Sequence, residues 1–136
     1  MSVKFENLFR AVYALPNGLQ VTDQGVLVAD QVTDRVALME IAVPDRFGAT
    51  QLLSEVVTES SNTSGLATGG GVLWLGANGP GARRSPRPTD ANQGTVIRAD
   101  PKTGETLERW KLPVDGGTHG LEYDSFEEDV LWVTST

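Results

Sequence analysis

The chain has 136 residues, with 18 acidic against 11 basic side chains and a formal charge of −7, which disfavours nucleic acid or an anionic membrane as the main partner. It has no cysteine, so disulfides, thiolate metal sites and a cysteine nucleophile are excluded. No stretch approaches the roughly 18 apolar residues of a membrane span, and the opening residues, with Lys4, Glu6 and Arg10, lack the apolar run of a secretory leader, so a soluble, cytoplasmic protein is expected.

Residues 1–16 match no later part of the chain. Phe5, Leu8, Phe9, Val12 and Tyr13 fit one helical face, but Phe9 to Leu15 also reads as a strand. Its position favours the strand, as an outer strand that closes a ring. From residue 17 a short phrase occurs three times: Asn17-Gly18-Leu19 before Val26-Leu27-Val28, Ser64-Gly65-Leu66 before Val72-Leu73-Trp74, and His119-Gly120-Leu121 before Val130-Leu131-Trp132. A unit recurring after about 50 residues is the sequence mark of a four-stranded propeller blade. The expected fold is all-β, an incomplete β-propeller of four-stranded antiparallel blades. The units are 17–59, 60–113 with a loop insertion at 79–94, and 114–136 as the first half of a third.

In the first unit Leu19, Val21, Val26 and Val28 alternate with other residues around the turn at Asp23 to Gly25, predicting a hairpin. Arg35 to Ile41 and Gln51 to Val57 read as its third and fourth strands. The second unit gives strands over Gly65 to Thr68, Val72 to Ala77, Thr95 to Ala99 and Glu105 to Leu112. Between the last two, Asp100-Pro101-Lys102-Thr103-Gly104 is a turn in which Pro fixes φ and Gly accepts a positive φ. The third unit gives Gly120 to Tyr123, a turn over Ser125 to Glu128, and Val130 to Thr134. Trp74 and Trp132 occupy matching places, as packing between neighbouring blades requires.

Chain direction alternates within a blade, so the starts of first strands and the ends of second strands share one face. That places Asn17, Ser64 and His119 at the mouth of the central channel as ligand-binding and catalytic candidates, with Asp30 and Asn78 further out. His119 is the only histidine, and an imidazole suits general acid or base work near neutral pH; the plainer role is a hydrogen bond to a loop carbonyl. Asp30, Asn17, Asn62 and Asn78 offer hard oxygen ligands for Mg²⁺ or Ca²⁺, although turn and cap duty is the simpler job for each asparagine. Arg83, Arg84 and Arg87 form the one basic cluster, able to meet an anionic small molecule over the mouth or to make up a solvated loop.

The stretch from Gly94-Thr95-Val96-Ile97-Arg98-Ala99-Asp100-Pro101-Lys102-Thr103-Gly104 through His119-Gly120-Leu121-Glu122-Tyr123-Asp124 to Leu131-Trp132-Val133-Thr134 resembles propeller repeats of the streptogramin lyase, gluconolactonase and YVTN-repeat type. Plant-type glutaminyl cyclase propellers are similar in the same phrases. The resemblance covers residues 17–136. It implies a catalytic histidine at His119 with Mg²⁺ nearby, although Gly117 stands where the lyase has a glutamate. A metal-assisted lyase or lactonase is then the alternative to a binding or assembly module. With two and a half blades, either would need a ring completed by self-association or in a longer chain.

Overall fold

The computed structural model describes residues 2–79, 81–113, 116–127 and 129–136. The first residues of the expected third unit, Pro80 of the expected loop and Glu128 of the expected turn lie outside these. All regular structure among the described residues is β: β1 (Pro16–Val21), β2 (Val26–Asp30), β3 (Arg35–Met39), β4 (Leu52–Val57), β5 (Thr63–Gly69), β6 (Val72–Ala77), β7 (Thr95–Ala99), β8 (Thr106–Lys111), β9 (Thr118–Tyr123) and β10 (Leu131–Ser135). They form two four-stranded antiparallel meanders, β1-β2-β3-β4 and β5-β6-β7-β8, and a two-stranded sheet, β9-β10. Among the described residues no helix is long and apolar enough to cross a membrane.

The hairpin registers refine the repeat. Ala67 pairs with Trp74 and Glu122 with Trp132, so the two tryptophans are equivalent, as expected. In the first sheet Gln20 pairs with Leu27 and Leu19 with Val28. Leu27, not Val28, therefore stands where the tryptophans stand. Sequence matching misplaces this strand by one residue because β5 and β6 pair further toward their turn, through Gly69 and Val72, than β1 and β2 do.

Each sheet has a rear face, toward lower residue numbers, and a forward face. Leu66, Leu73, Leu75, Ile97 and Ala99 on the rear of the second sheet pack with Ala29 and Val36 on the front of the first. Leu121, Leu131, Val133 and Tyr123 on the rear of the third pack with Ala67, Trp74 and Val96 on the front of the second. Alternation along each strand sends every second side chain into such a seam, and burying each large aliphatic side chain there contributes about 2 kcal/mol.

The rear of the first sheet is covered differently. Phe9, Ala11 and Tyr13 pack on Val26, Val28, Ala37 and Met39, forming a strap over that face. The Tyr13 hydroxyl donates to Glu55 at 2.8 Å, and the Arg10 N–H donates to Thr50 Oγ1 at 2.8 Å. The segment keeps the period-two burial of a strand, but it joins no sheet, and the chain bends over residues 12–15 before entering β1. The expected outer strand is thus an unpaired strap.

Candidate functional site

The antiparallel order puts the starts of β1, β5 and β9 and the ends of β2, β6 and β10 on one face. β1, β5 and β9 lie side by side as the innermost strands. The Cβ position of Gly18 is 3.0 Å from Leu66, and that of Gly65 is 2.9 Å from Leu121. Glycine in each repeated phrase lets the next inner strand come this close.

At the mouth three side-chain amides form a relay. Asn17 Nδ2 donates to Gln31 Oε1 at 3.3 Å, and Gln31 Nε2 donates to Asn62 Oδ1 at 2.8 Å. Asn62 adopts φ 53°, a left-handed conformation that asparagine tolerates better than most residues. Asn17 Oδ1 and Asn62 Nδ2 hydrogen-bond nothing among the described residues. His119 is exposed at the start of β9. Ser64 is buried, and its hydroxyl donates to the Thr118 carbonyl; Thr118 Oγ1 donates to the Ala77 carbonyl at 2.9 Å. Ser64 therefore ties inner strands together.

Asn78 closes the far side of the mouth. Its backbone N–H donates to the Ser61 carbonyl at 3.2 Å, and its side-chain oxygen fills the space beside Gly117, where a Cβ would come within 1.6 Å. A glutamate at 117, as in the lyase pattern, could be seated only by displacing Asn78. Asp30 is likewise occupied: Oδ2 accepts from the Thr33 N–H at 2.8 Å and hydroxyl at 2.7 Å, and Oδ1 accepts from the Leu15 N–H at 3.3 Å. The described residues contain no cluster of three or more His, Asp or Glu side chains suited to a metal. The donors present at the mouth do not fit the Mg²⁺ that the resemblance implies, nor the Ca²⁺ that the oxygen-bearing side chains suggest.

The arginines divide. Arg83 is exposed on the loop. Arg84 is turned inward, donating through Nε to Asp34 Oδ2 at 2.8 Å and through both Nη atoms to Asp90 at 3.0 and 2.6 Å. Arg87 reaches Asp34 at 3.3 Å and the Thr58 carbonyl at 3.2 Å. Asp34 also accepts from the Thr63 N–H at 3.1 Å and hydroxyl at 2.9 Å, and its side chain is fully buried. Burial pushes the Asp34 carboxyl up, partly offset by Thr63 and Arg84. The hydrogen bond from Arg84, opposed by burial and aided by the Arg87 N–H, holds Asp90 at about 2. The loop is thus pinned across the seam between the first two sheets. Sequence reading missed Asp34 and Asp90, and the only available signal was the acidic residue within reach of two arginines inside one loop.

Two full meanders and a hairpin, stacked face to face with their first strands innermost, define a β-propeller-like fold. A solved structure agrees: the chain resembles the glutaminyl cyclase of Myxococcus xanthus with a TM-score of 0.59 and 14% identity, covering 96% of this chain. It spans 54% of that protein's length. No protein-family model and no curated protein matches the sequence.

Proposed function

We propose that the chain is a propeller-type module that binds a small neutral ligand bearing amide or hydroxyl groups at the channel mouth and works through self-association. The observation that carries this reading is the Asn17–Gln31–Asn62 relay, whose outer ends keep one acceptor and one donor unengaged at the mouth. Amides offer donor and acceptor together, so such a row pairs with another amide or a hydroxyl without the cost of burying a charge. The name of the Myxococcus xanthus neighbour refers to a glutaminyl group, which is an amide side chain. Arg83 stands on the loop at the rim, where it could meet an anionic group on the same ligand. Arg84, engaged with Asp34 and Asp90, is assigned to the loop, and Ser64 and Asn78 to shaping the mouth.

The metal-assisted lyase or lactonase reading has exposed His119 in its favour. The donor set and the crowding at Gly117 speak against it. The test is an amide-detected NMR titration with a short peptide beginning in glutamine and its glutamate counterpart. Shifts at Asn17, Gln31 and Asn62 with the glutamine peptide, abolished by Gln31→Leu, are expected. No shift with either peptide at millimolar concentration would refute the binding reading.

A further inference from the structure

The two seams share one rule. The leucine of each Gly-Leu phrase leaves the rear of its sheet and sits over the glycine of the preceding phrase: Leu66 on Gly18 and Leu121 on Gly65. In the second seam the residue two places on also covers a forward aromatic, Tyr123 stacking on Trp74 with ring centroids 6.2 Å apart; in the first, Thr68 and Leu27 hold those places. In these seams Leu66 and Leu121 are 3% and 8% exposed. At the two ends of the stack each half of the rule lacks its other half. Leu19 and Val21, on the rear of the first sheet beyond the reach of the strap, are 59% and 67% exposed. On the front of the third sheet, a Cβ at Gly120 would meet only Thr134 of its own hairpin, and Trp132 is 62% exposed.

Resting on the self-association reading above, we infer that two copies of the 136-residue chain close head to tail into one ring of six sheets, four of them four-stranded and two two-stranded, with Leu19 of each copy seated on Gly120 of the other and Val21 over Trp132. The occupant is fixed by continuity with the seams already present. The rear face that obeys the rule belongs to this same chain, and it carries leucine at the place that seats on glycine. The copy number follows from closure. Each sheet, the two-stranded third included, takes one place around the axis, so three sheets per copy give six places for two copies and nine for three, against the usual four to eight of a propeller. The contact is heterologous and closes because the rotation completes a circle. Each copy would then bring its own Asn17 relay beside the partner's His119, so the ligand site at the mouth is completed across the new seams.

The chain contains no cysteine, so the contact can be trapped cleanly. Single variants Leu19→Cys and Gly120→Cys, mixed and oxidised, should give a disulfide-linked heterodimer, and the double variant a dimer joined at both seams. Sedimentation of the unmodified chain at micromolar concentration should show a dimer. Gly120→Val should raise its dissociation constant about a thousandfold, the weight of a buried leucine lost at two seams, with an unchanged β circular dichroism spectrum. A monomer overturns both self-association and this arrangement. A dimer that tolerates Gly120→Val and does not cross-link between positions 19 and 120 overturns the arrangement alone. Should Gly120→Val misfold, the cross-linking result decides.

Discussion

The seam between the first and second sheets and the seam between the second and third are built on the same Gly-Leu geometry but held by different forces. In the first, Thr63 at the head of β5 donates to a buried carboxylate, Asp34, which two guanidiniums also reach. In the second, Thr118 at the matching place donates to a neutral carbonyl, that of Ala77, and the forward face adds a stack of Trp110, Trp74 and Tyr123. One repeat position can thus serve a charged lock or a neutral one. What decides is whether the neighbouring turn supplies an aspartate in the left-handed conformation, as Asp34 does with φ 55°.

The largest effect should come from breaking the charged lock. Asp34→Ala removes the buried acceptor that Thr63, Arg84 and Arg87 share, leaving the Thr63 hydroxyl and N–H without it and two half-buried guanidiniums short of a partner, and breaking a buried pair in this way costs about 3–5 kcal/mol in comparable cases. Urea unfolding should show that loss, and a change below about 1 kcal/mol would mean that the ion cluster does not hold the seam. A smaller loss is expected in the neutral seam from Gly69→Ala. A Cβ there would lie 2.0 Å from the Tyr123 ring, and overpacking of this kind costs about 1–3 kcal/mol. Near-ultraviolet circular dichroism from the Trp74 stack should change, while amide exchange in the first sheet stays as it was. If the first sheet loosens equally, the two seams are not separable.

The smallest effect is a local dependence on pH. Asp90 is held at about 2 in the folded protein, below its ordinary value of about 3.9. A depressed carboxyl adds stability above the unfolded value, and that stability is lost as pH falls from about 4 towards about 2. Asp34 has the opposite sign, because a raised folded pKa favours the folded state as pH falls through it. Acid should therefore release the loop at its Asp90 end first. The protection of the Arg87 N–H, which donates to Asp90 at 2.8 Å, should fall in that window when its exchange rate is compared with the intrinsic rate at each pH. The exchange of β9 amides should not follow, and parallel loss in both places would place the acid sensitivity outside the loop.

The strands of the second sheet were legible because alternation, a glycine turn and the Asp100 to Gly104 turn all agree. Val72–Ala77 and Thr95–Ala99 lie where the pattern puts them. In the turn, Asp100 Oδ1 accepts the N–H groups of Lys102 and Thr103 at 2.7 and 2.9 Å, and Gly104 has φ 75°. The place of His119 at the start of a first strand was also legible from its Gly-Leu phrase. The ion cluster was not, because Asp34 and Arg84 are 50 residues apart and meet only when two sheets stack. The strap misled for a related reason. Its period-two pattern is that of a strand, but pattern records which side chains are covered and not whether the backbone finds a partner.

The strap also bears on the order in which the chain acquires structure. Phe9, Ala11 and Tyr13 precede the sheet whose rear they cover, so every residue needed to bury Val28 and Met39 has been synthesised by the time β4 is complete. The first sheet can shield one face before any later sheet exists, limiting the apolar surface that a growing chain displays. Each later sheet can then add onto a face already in place, in the direction of translation.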